Sequence, residues 1–311
     1  MPLSHKESIK RLLEKESSVK RLARLVERPF VRKLLAKSIG YHLPSHLEDW
    51  VAESHRLGFA RKTGARDLRA LMQSLFPVDC ERAKLIRLGP DGDGGYLVPD
   101  DLEGIEACFS PGVASVSGFE KDCADRGMKV FMADLSVDKP ADTHELFSFI
   151  SQNVGAVSRG DVISMDDWVN ASMEGDRSDL LLQIDIEGAE YETFLGTSDA
   201  LMRRFRIIVA EFHFLDNLHS YPFYKLATPT FEKILDTHSC VHIHPNNCCG
   251  FLQSRGLKIP RVMEFTFLRN DRIDTSSFYT AFPHPLDSDN VSKSPSLSLP
   301  RCWYSGVEER D

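Results

Sequence analysis

The amino-acid sequence predicts an α/β fold with a doubly wound, mainly parallel sheet. In the middle of the chain, short apolar segments that suit buried strands alternate with segments of helical periodicity. One of these strands, over residues 180–184, runs directly into the acids Asp185, Glu187 and Glu190. Ligands of open parallel sheets bind beyond the carboxyl ends of the strands, so these acids are candidates for chemistry.

Length and composition are those of a globular protein. With 311 residues, 42% of them hydrophobic and 27% charged, the chain can bury a core in one large domain or two. Its net charge of -8 argues against a general affinity for nucleic acid, and no nucleic-acid partner is expected. The charge is uneven, because residues 1–40 contain 11 Lys and Arg against 4 Glu, or +7, which leaves -15 for the remainder.

The spacing of the cysteines and the length of the apolar runs indicate the compartment in which the protein is expected. Seven cysteines at irregular spacings do not suggest a disulfide framework or a CxxC zinc site, which favours a reducing compartment. No apolar run reaches the roughly 18 residues of a membrane span, and residues 1–40 contain no apolar core of a signal peptide. The expected location is cytoplasmic.

Residues 1–75 predict a basic, amphipathic helical extension. Between Ile9 and Leu35, apolar residues recur at helical spacing with Lys and Arg between them. Such a helix either docks on anionic lipid, as a peripheral contact at the inner membrane face, or packs on its own domain or on a second copy of the chain. The main domain follows over residues 76–270, and the Ser/Pro-rich tail over residues 271–311 is predicted to be irregular or disordered.

A glycine-rich segment opens the main domain. Residues 85–102 contain four glycines within seven positions. Glycine and aspartate favour turns, so strands at Leu85–Leu88 and Tyr96–Val98 are predicted to form a β-hairpin. The same loop would let the backbone approach a ligand closely, and Asp93 and Tyr96 are candidate substrate-binding residues.

The next segment has the pattern of strand, turn, helix and strand. Its strands are predicted at Ile105–Phe109 and Met128–Met132, and Asp134 follows the second. A nucleotide-binding α/β domain holds ribose hydroxyls with an acid about 20 residues beyond its first glycine, and the spacing from Gly112 to Asp134 fits. The turn over Ser110–Gly118 is not GxGxxG, so it offers no seat for a pyrophosphate. This favours an adenosine ligand without phosphates over NAD.

Further strands and helices complete the predicted sheet. The third strand, Leu146–Ile150, is followed by Gln152 and Asn153, which are candidate partners for an adenine edge. Asp166 lies in the segment DVISMDDW, where an acid could equally cap the helix that follows. Later strands are predicted at Ile207–Phe212, Cys240–Ile243 and Glu264–Leu268, with helices at Phe119–Arg126, Tyr191–Phe205 and Tyr224–His238.

Three predicted strand ends carry polar groups toward one rim of the sheet. Carboxylate, imidazole and amide together suit a divalent cation such as Mg²⁺, Mn²⁺ or Ca²⁺, or a general base that acids orient. Any one of these residues alone could be a helix cap or a hydrogen-bonding group, but three such ends on one rim favour a functional site. The residues are Asp185 with Glu187, Glu211 with His213, and His244 with Asn246 and Asn247.

Four motifs carry a resemblance to a known family. ISMDDW, DIEGAEYE, AEFH and HPNN occur in this order along the chain. In this set the chain resembles the FkbM family of S-adenosylmethionine-dependent methyltransferases, over residues 85–269. The resemblance implies a Rossmann-like, class I methyltransferase fold that moves a methyl group from S-adenosyl-L-methionine to a hydroxyl, commonly of a sugar or a polyketide. It therefore implies a small-molecule or glycan acceptor.

The resemblance also assigns cofactor-binding residues by position. The chain departs from the usual family pattern at Pro111 and Ala114, where more glycine is common. By position, Ser110, Pro111, Gly112 and Val113 would lie against the methionine portion, Asp134 would hold the ribose, and Asn153 with Asp166 would border the adenine.

Methyl transfer to an alcohol needs an aligned oxygen and a group that removes its proton. His213 is the predicted general base, with Glu211 as its orienting partner and Asp185 facing the sulfonium and the acceptor. In metal-dependent methyltransferases of similar fold the fourth and fifth strand ends carry the cation, which makes Asp185, His213 and His244 an alternative ligand set. The two roles of His213 exclude each other. His244, Asn246 and Asn247 are further substrate-binding candidates.

The predicted function is that of an O-methyltransferase acting on a sugar hydroxyl in a glycan or glycolipid. Two other classes stay open: an NAD-dependent oxidoreductase, and a non-catalytic scaffold that binds a cofactor or metal. The missing GxGxxG counts against the first. The joint presence of Asp134, Asp185 and His213 counts against the second.

Overall fold

The computed structural model describes residues 61–80, 83–113, 116–254, 256–274 and 277–305. Contacts divide the chain between Arg61 and Lys62, and every described residue except Arg61 belongs to the second unit, Lys62–Asp311. The predicted basic helix and its membrane or subunit contact lie outside the described residues.

Thirteen strands and six α-helices make up the described part of the chain. The strands are β1 (Leu85–Leu88), β2 (Tyr96–Pro99), β3 (Ile105–Pro111), β4 (Lys129–Ala133), β5 (Phe147–Ile150), β6 (Asn153–Gly155), β7 (Val162–Ser164), β8 (Asp179–Ile184), β9 (Phe205–Phe212), β10 (His238–Pro245), β11 (Phe251–Ser254), β12 (Leu257–Pro260) and β13 (Met263–Arg269). The helices are α1 (Ala65–Ser74), α2 (Gly118–Asp125), α3 (Met165–Ser172), α4 (Glu190–Gly196), α5 (Asp199–Met202) and α6 (Tyr221–Leu235).

Seven of these strands form one sheet in the order β10-β13-β9-β8-β3-β4-β5. The neighbours from β9 to β5 are parallel, whereas β13 runs antiparallel to both β9 and β10. The predicted α/β fold with a doubly wound, mainly parallel sheet is confirmed. The strand order reverses between β3 and β8, and in such sheets the crevice beyond the carboxyl ends at this point holds the ligand.

The sheet is buried on both faces because its strands are apolar on both sides. On β8, Leu180 and Leu182 join the hydrophobic core that contains side chains of α1 and of α3 to α6, while Leu181 joins the core under α2 and the strands β1 and β2. Side chains alternate along a strand, so Gln183 and Asp185 continue the face of Leu181. That face therefore becomes polar toward the carboxyl ends of the strands.

The predicted hairpin is confirmed as the antiparallel pair β1 and β2. Arg87 holds its loop, because Nε donates to the carbonyl of Pro90 at 2.8 Å and Nη2 to that of Gly92 at 2.9 Å. A Cβ at Gly95 would lie 1.9 Å from the carbonyl oxygen of Pro90, so only glycine fits there. The loop is closely packed on itself, and it leads directly into the buried Tyr96 of β2.

Residues 277–305 contain little regular structure, as predicted, but they are packed rather than disordered. Trp303 is fully buried and donates its indole N–H to the carbonyl of Lys258 at 3.2 Å. Asn290 donates to Glu264 Oε1 at 2.6 Å, against the strand β13. The expectation of disorder from Ser and Pro content failed because a few buried anchors are enough to order the segment.

Two predicted boundaries differ from the observed ones. The helix expected over Tyr191–Phe205 is two helices, α4 and α5, because the side chain of Ser198 accepts from Leu201 N–H at 3.2 Å and starts a new helix. The extension expected to end at residue 75 includes α1, whose apolar side chains lie in the core beneath the sheet.

Within residues 61–305, apart from the few positions not described, no helix has both the length and the apolar character that crossing a membrane requires.

Candidate functional site

Two neighbouring strands end in one polar cluster. The strands β8 and β9 are parallel, so Asp185 and His213, which follow them, leave the sheet at the same edge. Glu211 lies near the end of β9. One ligand atom from each of Asp185, Glu211 and His213 lies within 4.8 Å of the other two. The structure thus brings together the three residues predicted to be catalytic.

The imidazole of His213 is surrounded by acids. Its Nδ1 lies 3.2 Å from Glu190 Oε1, and its Nε2 lies 3.4 Å from Glu187 Oε2. The same Nε2 lies 3.9 Å from Asp185 Oδ1 and 3.9 Å from Glu211 Oε1. With Glu190 accepting at Nδ1, the neutral ring presents the lone pair of Nε2 to Asp185 and Glu211. A general base and a metal ligand both need this orientation.

Glu190, rather than the predicted Glu211, contacts Nδ1 and orients the ring. It is fully buried at the first residue of α4. Its Oε1 accepts from the backbone N–H of Ile186 at 3.0 Å and of Gly188 at 3.1 Å, in addition to facing His213. In the sequence, Glu190 is one of the acids that follow the strand over residues 180–184, but an acid in the first turn of a helix is common for electrostatic reasons alone, so its contact with His213 was not predicted.

Several buried carboxylate oxygens of the cluster lack partners. Among the described residues, no hydrogen-bond partner reaches Asp185 Oδ1, Glu190 Oε2 or Glu211 Oε2. Burial raises the pKa of Asp185 to about 7, with His213 opposing and nearby acids adding to the rise. Burial, then the charges of Asp185 and Glu264, raises the pKa of Glu211 well above its ordinary value. The cluster therefore has more acid groups than one imidazole can neutralise, and it must hold protons or a cation.

His244 does not join this group. The strand β13 lies between β9 and β10, which separates the end of β10 from His213. His244 Nδ1 lies 3.6 Å from Asp287 Oδ2, and Asp287 Oδ1 lies 2.9 Å from Nε2 of His242. The structure therefore does not bring the predicted ligand set of Asp185, His213 and His244 together, and Glu211 lies beside Asp185 and His213 where His244 was expected.

Of the two asparagines after β10, only Asn246 contacts the cluster. Its Nδ2 donates to Glu211 Oε1 at 2.9 Å. Asn247 instead binds the C-terminal segment, because its Nδ2 donates to the carbonyl of Val291 at 3.0 Å and its Oδ1 accepts from Val291 N–H at 2.8 Å. The structure thus gives Asn247 a packing contact and Asn246 a contact with the site.

The hairpin covers the polar face of the sheet. Tyr96 is buried, and its hydroxyl lies 3.4 Å from Gln183 Nε2. Burial, followed by the charges of Asp185 and Glu211, raises the pKa of this phenol well above its ordinary value. Asp93 is exposed in the loop, and its charge adds to the same rise. Both predicted hairpin residues, Asp93 and Tyr96, therefore lie close enough to the acid cluster to interact with its charges.

The turn after β3 is joined to the acid cluster. Gly112 donates its N–H to the carbonyl of Ala133 at 3.0 Å, which places it beside Asp134. Its φ is 86°, and a Cβ there would lie 1.7 Å from the carbonyl oxygen of Asp185. The carbonyl of Pro111 accepts from Asp185 N–H at 3.2 Å. The predicted cofactor turn and the end of β8 therefore form one unit.

Two of the predicted cofactor residues face the protein interior. Ser110 is fully buried, with its Oγ 2.5 Å from Glu120 Oε1 and 2.6 Å from Gln183 Oε1. Val113 is buried in the core under α2. Both side chains support the turn from within the protein, and the backbone of the turn is what they position.

The remaining cofactor candidates lie at the ends of β4 and β5. Asp134 follows β4, and its backbone N–H donates to the last carbonyl of β5 at 3.2 Å. Asn153, which begins β6, follows closely in the chain and is exposed. Asp166 instead accepts from the backbone N–H of Ser198 at 2.8 Å and from the Ser198 hydroxyl. Its carboxylate thus joins α3 to the start of α5.

Two non-glycine residues with positive φ flank the site. Among the described residues these are Glu187, at 55°, and Phe214, at 59°. Bulky residues rarely adopt this conformation, and such strain is concentrated at functional sites. The ring of Phe214 packs on Gly188, where a Cβ would lie 2.3 Å from Phe214 Cε2, and 51% of Phe214 is exposed. An aromatic ring thus lies at the surface next to His213.

Residues 115–237 match the sequence profile of the methyltransferase FkbM domain. The match confirms the predicted family, over a shorter range than residues 85–269. It includes Asp134, Asp185 and His213 and ends before β10. No curated protein sequence matches the chain.

Solved methyltransferase structures have a distant similarity to the chain. The N-methyltransferase NodS from Bradyrhizobium japonicum WM9 is 8% identical, with a TM-score of 0.30 over 54% of this chain and 86% of that chain. The magnesium protoporphyrin IX methyltransferase ChlM from Synechocystis PCC 6803, with bound SAM, is 13% identical, with a TM-score of 0.28 over 55% of this chain and 72% of that chain. Similarity at this level does not extend a substrate to this chain.

Proposed function

We propose that the FkbM methyltransferase domain of this chain transfers a methyl group from S-adenosyl-L-methionine to a hydroxyl, in a sugar of a glycan or glycolipid. One observation carries the proposal. His213 presents Nε2 to Asp185 and Glu211 at the carboxyl ends of β8 and β9, beside the turn at Gly112. A group that accepts a proton therefore lies next to the residues expected to hold the methyl donor.

The residues around Gly112 fit the cofactor. The turn and Asp134 are adjacent, as an adenosine site requires, and Gly112 brings the backbone against Asp185. Asp134 would hold the ribose, and the backbone of the turn would lie along the methionine portion. When bound, S-adenosyl-L-methionine supplies an electrophilic methyl group.

His213 acts in the proposal as the base that takes the proton of the acceptor hydroxyl at Nε2. Glu190 accepts from Nδ1 and stabilises the charge that the ring gains. Burial alone would lower the pKa of His213, but the hydrogen bond and charge of Glu190, with the charges of Asp185 and Glu187, raise it. Proton uptake by His213 thus lowers the repulsion within the cluster.

A second arrangement, with a divalent cation held by Asp185, Glu211 and His213, is favoured by the unpartnered oxygens. Asp185 Oδ1 and Glu211 Oε2 are buried without a partner among the described residues, and both belong to the group whose ligand atoms lie within 4.8 Å. Mg²⁺ and Mn²⁺ prefer such carboxylate oxygens. The cation would neutralise the acids and lower the pKa of a hydroxyl beside it. His213 would then be a ligand and not the base.

The exposed groups around the cluster support a ring-shaped polar acceptor. Phe214 offers an apolar face, while Asp93 offers a hydrogen-bond acceptor. Sugars combine an apolar C–H face with hydroxyls, so they match this combination.

Calorimetric titration with S-adenosylhomocysteine tests the proposal, first on chelated protein and then with Mn²⁺ added. Micromolar binding, about -8 kcal/mol, is expected. Asp134→Asn should weaken it, whereas the exposed acid Asp138 offers a matched control as Asp138→Asn. Heat from Mn²⁺ that Glu211→Gln abolishes would favour the cation arrangement. Binding of NAD instead would favour the oxidoreductase, and no binding of either ligand would favour a scaffold.

A further inference from the structure

Cys248 and Cys249 differ from every other cysteine of the chain. These adjacent residues are joined by a disulfide and are exposed, in the loop between β10 and β11. The irregular spacings of the seven cysteines do not predict a disulfide. A bond between neighbours closes only a small covalent ring around one peptide bond, so it adds little to the stability of the fold.

The other five cysteines are poorly placed to react. Cys108, Cys123 and Cys240 are buried, and Cys80 and Cys302 are partly buried. Burial is the main cause that raises the pKa of Cys80, to about 11, and it raises the pKa of Cys108 and Cys240 as well. The thiolate is the reactive form of cysteine, so these thiols are expected to be inert. The exposed pair is thus the site where sulfur chemistry would be selective.

The pair is connected to the acid cluster by two hydrogen bonds in series. Cys248 N–H donates to Asn246 Oδ1 at 2.8 Å, and Asn246 Nδ2 donates to Glu211 Oε1 at 2.9 Å. Asn246 is buried, with 4% of its surface exposed. On the other side, Arg261 Nη1 donates to the carbonyl of Cys249 at 2.8 Å. The backbone of the pair is therefore held between an arginine and a side chain that contacts the site.

We propose that Cys248 and Cys249 form a thiol–disulfide exchange site for small thiols and disulfides of the glutathione class, and that its redox state is transmitted through Asn246 to Glu211. The thiolate of a small thiol attacks one sulfur, the bond between Cys248 and Cys249 breaks, and the other sulfur leaves as a thiolate that takes up a proton. A second small thiol attacks the mixed disulfide and releases the oxidised small molecule. Two electrons and two protons pass to the protein, and the same steps in reverse restore the disulfide.

Transmission follows from the two hydrogen bonds that flank the disulfide ring. While the sulfurs are joined, the ring holds the two Cα atoms of the pair in one arrangement, and the backbone just outside it carries the Cys248 N–H on one side and the Cys249 carbonyl on the other. Reduction opens the ring and lets the two Cα atoms move relative to each other, which loosens the hydrogen bond from Cys248 N–H to Asn246. The exchange site stands independently of the proposed function, whereas the importance of Glu211 for activity rests on it.

The exchange is tested on the full chain with reduced and oxidised glutathione. Reduction should raise the mass of the peptide that carries Cys248 and Cys249 by about 2 Da, and oxidised glutathione should reverse it. After reduction, phenylarsine oxide, a trivalent arsenical that bridges close thiols, should bind in one equivalent. Cys248→Ser should abolish this binding, while Cys302→Ser, at a partly buried cysteine that is not part of a disulfide, should retain it. A pair that stays in one state throughout the glutathione range would overturn the exchange site.

The coupling between the redox state of the cysteine pair and Asn246 is measured separately. The side-chain amide resonance of Asn246 in a ¹H–¹⁵N spectrum should shift between oxidised and reduced protein, and Cys248→Ser should hold it at the reduced position. Exchange without this shift would overturn the coupling to Glu211. Both results are independent of cofactor binding, so failure of the proposed function would show as a full redox cycle in a protein that does not bind S-adenosylhomocysteine.

Discussion

At the scale of single residues, the site depends on one buried carboxylate. Glu190 accepts two backbone N–H groups of the loop after β8 and faces His213 Nδ1 with the same oxygen. Its other oxygen, Oε2, is buried without a partner among the described residues. A buried charge with an unpartnered oxygen destabilises the fold, and such a group is retained where function requires it. Its removal should therefore lower activity without lowering stability.

The variant Glu190→Gln tests whether activity and stability respond differently to the loss of this charge. Glutamine keeps an oxygen for the three donors but removes the charge, so the unfolding free energy should stay within about 1 kcal/mol of the native value or rise. Methyl transfer or Mn²⁺ affinity should fall about 10-fold, because a group that orients a catalytic or ligating histidine is changed. Urea unfolding and a binding or activity assay measure the two quantities. Glu192→Gln, at an exposed acid of the same helix, is the control and should change neither. A parallel loss of stability and activity would mean that Glu190 has only a structural role.

A second residue-scale prediction concerns Gly188. Its φ is +104°, and a Cβ there would lie 2.3 Å from the Phe214 ring. Gly188→Ala should therefore destabilise the fold by about 1–3 kcal/mol, from backbone strain and displacement of the ring. Gly127→Ala is the matched control, since Gly127 has φ +87° with nothing within 4 Å, and it reports the backbone part alone.

The double variant Gly188→Ala with Phe214→Ala separates the loss of stability caused by backbone strain from the loss caused by displacement of the Phe214 ring. Removal of the ring should bring the effect of the alanine at residue 188 down to that seen at Gly127, as measured by urea unfolding. An equal cost at Gly188 and Gly127 in the single variants would show that the ring moves aside freely. Its packing on Gly188 would then not fix its place beside His213.

At the scale of elements, the position of β13 explains which site residues the sequence could indicate. Asp185 and His213 follow sequential strands that are also neighbours in the sheet, so their meeting follows from the order of the strands. His244 lies near the end of β10, the next strand of this sheet in the sequence, but β13, which comes later in the chain, inserts between β9 and β10. Nothing local to β13 shows where it inserts. Asp287 was missed for a similar reason, because its two histidine partners lie more than 40 residues earlier.

The C-terminal segment is held to the sheet by Asp287, and its removal should release the segment. Asp287 contacts His242, His244 and the backbone N–H of His284. Asp287→Asn removes the charge between two buried imidazoles and should destabilise residues 277–305 by about 1–3 kcal/mol. Faster hydrogen exchange along residues 277–305 would report this loss of stability. Lys293→Gln, at an exposed charge of the same segment, should leave exchange unchanged. No difference between the two variants would exclude Asp287 as the anchor.

The same contact predicts a pH dependence. Burial alone would raise the pKa of Asp287, but hydrogen bonds from His242 and His244 hold it well below its ordinary value. Its contribution to stability is thus present above about pH 3.9 and is lost as the pH falls through the lowered pKa. Burial alone would lower the pKa of His244, but Asp287 and Glu264 raise it. The contribution of His244 is present below about pH 6.5 and is lost as the pH rises through the raised pKa.

Hydrogen exchange of residues 277–305 should therefore be slowest, after correction for the intrinsic rate, in the weakly acidic range between these limits. His244→Gln should remove the increase in the corrected exchange rate on the alkaline side and keep the increase on the acid side. A profile that His244→Gln leaves unchanged would assign the alkaline limit to another group.

At the scale of the whole molecule, the charge divides into two parts. Residues 1–40 carry +7, and the remainder carries -15, with the acid cluster among the described residues. A basic segment on an otherwise acidic chain can bring two chains together by charge. A negatively charged membrane surface would compete for the same basic residues, at about 1 kcal/mol for each Lys or Arg near the surface. The sequence shows this asymmetry directly, whereas it does not choose between the partners.

Vesicle flotation of the full chain and of a chain without residues 1–40 makes that choice. If the segment docks on lipid, the full chain should float with vesicles that contain phosphatidylserine, and not with neutral ones, because the attraction is electrostatic. Raising the ionic strength should release it, since screening shortens the reach of each charge. The variant with Lys10, Lys20, Arg24 and Lys37 changed to Gln keeps the apolar spacing and should float weakly. If the shortened chain floats as well as the full chain, the membrane hypothesis fails. A change in molar mass by light scattering on the same deletion, beyond the mass of the deleted residues, would instead show that residues 1–40 join two copies of the chain.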